Sequence, residues 1–172
     1  MKLLLPTLIA ATILLSNCKK SADTITPINC DGLVTDTLGT NDNGRIYMPN
    51  AFSPNADGLN DIYRAIVKNV SSMVLTIYDG NNNIVFTTSQ LSLPDQNGFS
   101  FSSSWTPTSN TSSYETYYFK IQAVTNSGKH IGRCGELYKL SCRPANINLF
   151  FEDQLTLNGF TAITNEPLSV CP

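Results

Sequence analysis

Residues 117–140 read YYFKIQAVTNSGKHIGRCGELYKL. Large apolar side chains take every second position of the first half, at Tyr117, Phe119, Ile121 and Ala123. Since successive side chains of a strand point to opposite faces, this spacing predicts a strand that is buried on one face. The polar turn at 126–128 predicts that the chain returns through 131–140 as the second strand of an antiparallel hairpin. A hairpin buried on one face is typical of a two-sheet sandwich.

The same alternation precedes this hairpin. Residues 73–78 alternate, and the pattern resumes at 84–86 after a polar turn, which predicts a second hairpin. Residues 99–101 predict a short strand. Residues 62–70 fit a strand or a helix, and their β-branched content favours the strand.

A further strand signal lies near the C-terminus. Asn158-Gly159 separates two short alternating runs, which predicts a tight hairpin. Residues 147–151 fit either a strand or one side of a helix. The predicted fold class is therefore all-β, an immunoglobulin-like antiparallel β-sandwich with a C-terminal β-hairpin extension.

The stretch 49–61, PNAFSPNADGLND, is rich in turn residues and side-chain oxygens. Counted from its serine, several oxygens and a glycine fall where a calcium loop places its ligands and its sharp turn. The twelfth position, where such a loop has a bidentate glutamate, is Arg64. The alternative interpretation is a metal-free turn, in which Asn and Asp side chains bond the local backbone. The candidate calcium ligands are Ser53, Asn55, Asp57, Asn60 and Asp61.

Residues 50–61 also resemble the opening motif of the gliding motility-associated C-terminal domain, the type B sorting domain of type IX secretion. That motif usually has glycine where this chain has Ala56. Two further matches follow, at 75–87 and at Tyr117-Tyr118-Phe119. The resemblance covers residues 46–140 and implies an immunoglobulin-like domain that takes part in type IX secretion or gliding motility.

Residues 1–17 have the organisation of a signal peptide, with Lys2 before an apolar core. Leu15-Ser16-Asn17-Cys18 resembles a bacterial lipobox, which implies that Cys18 is lipidated and becomes the mature N-terminus. An ordinary secretory signal is the alternative. The lipid makes the membrane a partner and predicts a cell-envelope location at the outer membrane, periplasmic or surface-exposed.

Four segments organise the chain. The polar composition of residues 18–44 predicts a flexible tether, because this stretch has too few apolar residues to order itself. The predicted organisation is a signal peptide at 1–17, the tether at 18–44, the sandwich at 45–142 and an extension packed on it at 143–172.

Four cysteines remain after Cys18, and an even number in an exported protein predicts two disulfides. Cys134 and Cys142 are eight residues apart on one predicted strand, a separation of about 26 Å that a disulfide does not bridge. We favour Cys30 with Cys142 and Cys134 with Cys171. Cys30 with Cys134 and Cys142 with Cys171 remains open.

Catalysis and nucleic-acid binding have little support in the sequence. His130 is the single histidine and lies in a predicted turn, and no nucleophile, zinc-protease or phosphate-loop motif occurs. Without residues 1–17, which contain Lys2, 10 basic residues stand against 13 acidic ones, a net charge of −3. We therefore expect neither an enzyme nor a nucleic-acid partner.

The expected function is that of a lipid-anchored, non-catalytic binding or structural module of the cell envelope, associated with gliding motility or type IX secretion. Its expected partner is an envelope protein or a glycan. The alternative is a carbohydrate-binding sandwich that stacks sugars on Trp105, Tyr114 and Tyr118. Trp105 as a buried core residue is the competing interpretation, which we favour.

Overall fold

The computed structural model describes residues 29–107 and 113–172. The predicted signal peptide and Cys18 lie outside these residues. The helical content of the described part is one 3₁₀ turn, Glu152–Gln154, so none of its helices is long and apolar enough to cross a membrane. The strands are β1 (Arg45–Tyr47), β2 (Ala51–Phe52), β3 (Ile66–Lys68), β4 (Val70–Tyr78), β5 (Ile84–Thr88), β6 (Phe99–Phe101), β7 (Tyr114–Thr125), β8 (His130–Leu140), β9 (Leu155–Thr156) and β10 (Gly159–Phe160).

Two sheets form the sandwich, and the predicted fold class is confirmed. One sheet has three antiparallel strands in the order β1-β3-β6. The other has five strands in the order β2-β8-β7-β4-β5, antiparallel except for the β2–β8 pair. The small β9–β10 hairpin belongs to the extension, as its Asn-Gly turn predicts.

The long hairpin of the second sheet forms as predicted, with the expected face of its first strand buried. β7 and β8 pair without a register shift, with Phe119 opposite Gly135. The predicted inward face of β7 is buried, and β4 buries its own alternate positions against the same core. Of residues 62–70, which fitted a strand or a helix, 66–68 form β3, and Asn69, at φ 52°, turns the chain into β4 at Val70.

β1 and β2 follow one another in the chain but belong to opposite sheets. Pro49 lies between them, and a proline has no backbone N–H to continue the β1 ladder. The Asn50 carbonyl then accepts the N–H of Tyr138 at 2.8 Å, which joins the chain to β8. This change of sheet places the signature loop, residues 53–61, directly after the β2 strand.

The main core lies between the two sheets. Its fully or nearly buried residues all fall between positions 48 and 137, and Leu38 packs against them from outside that range. Trp105 lies inside this core with 8% of its surface exposed. Its ring contacts the rings of Tyr117, Phe52 and Phe86 at centroid distances of 4.9, 5.8 and 6.4 Å.

The prediction of a tether over 18–44 is wrong for its described part. Residues 29–44, called the strap here, lie along the β7–β8 hairpin. The Val34 backbone exchanges two hydrogen bonds of 2.8 Å with the Gln122 amide, and the Asp36 N–H donates to the His130 carbonyl at 2.9 Å. The composition misled because the partners of the strap lie about ninety residues further along the chain, where short-range patterns carry no signal.

Gly44 ends the strap at a close approach to the hairpin. It is buried, and a Cβ atom at this position would lie 2.2 Å from Cγ2 of Thr125. The missing side chain therefore lets the strap pass over the end of β7 before β1 begins.

The favoured disulfide pairing is wrong, and the alternative is the one observed. Cys30 bonds Cys134, with 6.0 Å between the Cα atoms, and Cys142 bonds Cys171, with 5.0 Å. The sequence correctly excluded a disulfide between Cys134 and Cys142. It could not choose between the remaining pairings, since the choice depends on where the strap and the extension lie.

The extension, residues 143–172, packs on one edge of the sandwich. Residues 147–151 form neither a regular strand nor a helix, yet the Phe151 side chain is fully buried. It forms a second, smaller cluster with Ala51, Tyr138 and Leu140. The extension therefore covers the β2 edge and the signature loop that follows it.

Candidate functional site

The signature loop is held by its own polar groups. The two oxygens of Asp61 accept the N–H groups of Ala56 and Gly58 at 2.6 and 2.7 Å. Both donor residues have positive φ, 64° for Ala56 and 88° for Gly58. A positive φ at alanine costs about 1–2 kcal/mol, so the carboxylate bonds hold the chain in a conformation that it would otherwise avoid.

A second carboxylate, that of Asp57, serves the same loop. One oxygen accepts the Leu59 N–H at 2.8 Å, and the other accepts from the Asn55 amide at 3.0 Å. The side-chain oxygen Oδ1 of Asn55 accepts the Asp57 backbone N–H in return. These are the local hydrogen bonds that Asn and Asp side chains form in turns.

The predicted calcium ligands therefore lie close together but have other partners. Within residues 29–107 and 113–172, no group of three or more Asp, Glu, His or Cys side chains is arranged to hold a metal ion. The Ser53 hydroxyl differs from the others, since it is fully buried and has no hydrogen-bond partner in the described part. A calcium titration tests whether the loop binds the ion.

We expect calcium at millimolar concentration to leave the melting temperature of the purified protein unchanged. The carboxylate oxygens of Asp61 and Asp57 already accept backbone N–H groups, so a cation would compete with these bonds for the same oxygens. Thermal denaturation in calcium, in magnesium and in a chelator measures this. A rise of several degrees with calcium alone, lost in the Asp61→Asn variant, would show that the folded loop binds the ion, because a ligand of the folded state stabilises it.

Two carboxylates of the extension reach the signature loop. Glu166, only 5% exposed, accepts the amide N–H groups of Asn60 at 2.9 Å and Asn55 at 3.3 Å. The Asp153 carboxylate accepts from the Asn60 side-chain amide at 3.3 Å, and the Asp153 backbone N–H donates to the Asn60 side-chain oxygen Oδ1 at 3.2 Å. The side chain of Asp153 accepts from Thr164 and from the Asn165 N–H, which orders the extension locally.

An ion pair joins Glu152 of the extension to Arg64 of the sandwich. The Arg64 Nε atom donates to both oxygens of Glu152, at 3.0 and 2.9 Å, and its Nη2 atom donates to Oε1. This hydrogen bonding raises the pKa of Arg64 above its ordinary value. The guanidinium also lies 4.2 Å from the ring centre of Phe101, so it is fixed from two sides.

The backbone of the extension continues along the outer side of β2. The N–H groups of Asn50 and Ala51 both donate to the Phe150 carbonyl, at 2.9 and 3.3 Å. The Asn50 side chain accepts the Phe150 N–H at 2.6 Å and donates to the Asn148 carbonyl at 2.8 Å. We call these contact residues the docking face: Asn50, Ala51, Asn55, Asn60 and Arg64.

The sequence pointed to part of this face only. Asn55 and Asn60 were candidates as calcium ligands, whereas in the structure their amides donate to carboxylates of the extension. In the sequence, Arg64 was noted only because it occupies the position of the bidentate glutamate of a calcium loop. Its partner Glu152 was not predicted. The one signal for this ion pair in the sequence was the charge of Arg64, since a partly buried arginine is usually paired with a carboxylate.

The predicted sugar platform is not formed. Trp105 is 8% exposed and Tyr118 is 3% exposed, so neither offers a free ring face for stacking. Tyr114 is 40% exposed and lies edge-on to Tyr138, with 6.3 Å between ring centres. The carbohydrate alternative through these three residues is therefore wrong, because the sandwich uses the indole to fill its core.

The single histidine contacts the strap. The His130 N–H donates to Asp36 Oδ2 at 2.7 Å, and its ring Nδ1 lies 3.3 Å from the same oxygen. The backbone N–H holds the pKa of Asp36 below its ordinary value. These contacts fasten the strap to the start of β8.

Comparisons with known proteins agree with the resemblance of the signature loop. The family model of the CHU_C type IX secretion signal domain matches residues 46–137, more than half of the chain. Neither the curated proteins nor the solved structures contain a significant match to the chain. The strap and the extension both lie outside the matched residues.

Proposed function

Since the chain belongs to the type IX secretion signal domain family, we propose that it is a lipid-anchored, non-catalytic binding module of the cell envelope. The family associates the protein with type IX secretion or gliding motility, and with the cell envelope or the secreted fraction. The proposal adds the Cys18 lipid, the outer membrane and a binding role in place of catalysis.

The observation that carries this proposal is the attachment of the strap to the matched domain. The Cys30–Cys134 disulfide and the strap bonds leave 11 residues, 19–29, between the lipobox cysteine and Cys30. Even a fully extended chain of this length reaches only about 40 Å. A lipid on Cys18 would therefore hold the sandwich close to the membrane, where it meets other envelope proteins.

The non-catalytic role is supported by how the polar residues are used. The sole histidine is bound to the strap, and the carboxylates around the signature loop are bound to amide and guanidinium groups. Each of these contacts fixes one part of the chain to another. Such a surface is typical of recognition, with loops held by a rigid scaffold.

Replacing Cys18 with serine tests the anchor. We expect the wild-type protein, expressed with its signal peptide in a bacterium that processes lipoproteins, to enter the detergent phase of a Triton X-114 extraction. The Cys18→Ser variant should move to the aqueous phase, because the acyl chains provide the buried methylenes that bind the membrane. The neighbouring Lys19→Ser variant keeps the cysteine and should behave like the wild type. An aqueous wild-type protein would contradict the anchor.

A further inference from the structure

The extension is a separate layer on the sandwich. The main core consists of residues 48–137 with a few packed neighbours, and no residue of the extension takes part in it among the described residues. The extension contributes to a second cluster of four buried residues around Phe151. The matched domain therefore closes its core without residues 143–172.

The contacts of the extension are those of an extended peptide on a protein surface. Its backbone adds to the outer side of β2 through the Phe150 carbonyl and N–H. One aromatic side chain, Phe151, enters an apolar site beside Ala51. Backbone bonds to a strand edge with a side-chain pocket are a common mode of peptide recognition.

The docking face also specifies charge. Arg64 and the amides of Asn55 and Asn60 all donate, and the extension supplies acceptors through Glu152 and Glu166. The side chains of Arg64 and Glu152 are only 32% and 23% exposed, so an apolar ligand here would leave a half-buried guanidinium without a partner. An aromatic residue followed by a carboxylate satisfies both requirements.

We propose that the docking face is a binding site for an extended peptide with an aromatic–acidic pair, and that the extension fills it as an internal ligand. The partner peptide would pair with Asn50 and Ala51, insert its aromatic ring beside Ala51 and place its carboxylate on Arg64. It binds when the extension leaves the face. The inference rests on the proposed binding role and deepens it by naming the surface and the class of ligand.

The Cys142–Cys171 disulfide keeps the displaced extension close. It ties both ends of the segment to the sandwich across a separation of 29 residues. A tethered segment of this kind acts as a competitor at about millimolar effective concentration. A weak partner peptide would therefore bind only after the extension is weakened, whereas a strong one displaces it.

A peptide titration tests this proposal in the chain that carries Cys18→Ser, so the lipid plays no part. In the opened variant, Phe151→Ala and Glu152→Ala remove the aromatic ring and the carboxylate that the extension places on the docking face. The probe is a fluorescently labelled peptide of residues 147–167, which contains no cysteine. We expect it to bind the opened variant at least about tenfold more tightly than the unaltered chain, whose docking face is filled.

Two controls define the site. A peptide with the Phe151→Ala and Glu152→Ala changes should not bind the opened variant. Adding Arg64→Ala to the opened variant should weaken binding about tenfold, the effect of one lost charge-assisted contact. If the opened variant is folded and the probe does not bind it at about 1 mM, the proposal is wrong.

Hydrogen exchange on the unaltered chain decides the question if the opened variant does not fold. The Ala51 amide of the docking face and the Phe150 amide of the extension should exchange about 100-fold faster than the Phe119 amide in the middle of the second sheet, since the extension opens before the core does. Equal rates would show that the extension is an inseparable part of the core, which overturns the proposal. Neither the peptide titration nor the hydrogen exchange depends on the membrane anchor. A negative result in either one is therefore distinct from a negative result of the Cys18→Ser extraction.

Discussion

Replacement of Trp105 by alanine is expected to lower the free energy of unfolding by about 3–5 kcal/mol, the range for a large aromatic side chain removed from a core. The indole is 8% exposed and contacts three other rings. Its backbone exchanges hydrogen bonds with Tyr63 at 2.8 and 2.9 Å, and these bonds do not need the side chain. Urea denaturation followed by tyrosine fluorescence or circular dichroism measures the loss.

A matched control is available in Tyr114, which belonged to the same predicted sugar platform. Its side chain is 40% exposed, so Tyr114→Ala should cost less than about 1 kcal/mol, as surface substitutions usually do. Equal and small losses in both variants would mean that the tryptophan does not fill the core, and the burial on which we rejected sugar stacking would be in error.

Removing the Cys30–Cys134 disulfide is expected to have an effect of similar size. The bond spans 104 residues, and constraint of the unfolded chain over such a loop stabilises a protein by about 4–5 kcal/mol in the chain-entropy model. The Cys30→Ser, Cys134→Ser variant should lose most of this stability in urea denaturation. Its strap should also exchange faster at the Val34 amide, which donates to Gln122.

The second disulfide provides the comparison. Cys142 and Cys171 are 29 residues apart, so the same model predicts a loss that is about 1 kcal/mol smaller for Cys142→Ser, Cys171→Ser. That variant should leave the strap amides protected and loosen the extension instead. If the shorter bridge proved the more stabilising one, native contacts of the extension rather than chain constraint would dominate.

The strands were predictable where alternation extended over several residues. β4 and β7 have nine and twelve residues, so a repeat of two is visible against the background of polar positions. β2 has two residues and no such repeat. Its place beside β8 follows from Pro49 and from a parallel pairing with residues almost ninety positions away, which no local pattern encodes.

The candidate site was only partly predictable for a related reason. Asn and Asp side chains in a turn can bond the local backbone, a cation or a remote segment, and the sequence of the loop is the same in each case. In the structure, Asp57 and Asp61 bond the loop itself, while Asn55 and Asn60 donate to Glu166. That partner lies more than a hundred residues further on, so only the folded chain shows it.

The position of both the strap and the extension depends on which cysteines are joined, and peptide mapping without reduction tests this most directly. Trypsin should release residues 21–45 linked to 134–139, which joins Cys30 to Cys134. Residues 140–172 should appear as a separate peptide that contains the Cys142–Cys171 bond. Trypsin does not cut between these two cysteines, because the one basic residue there, Arg143, precedes a proline. A single species that links all three peptides would mean that Cys30 and Cys134 are each joined to a cysteine of residues 140–172, and would contradict the account.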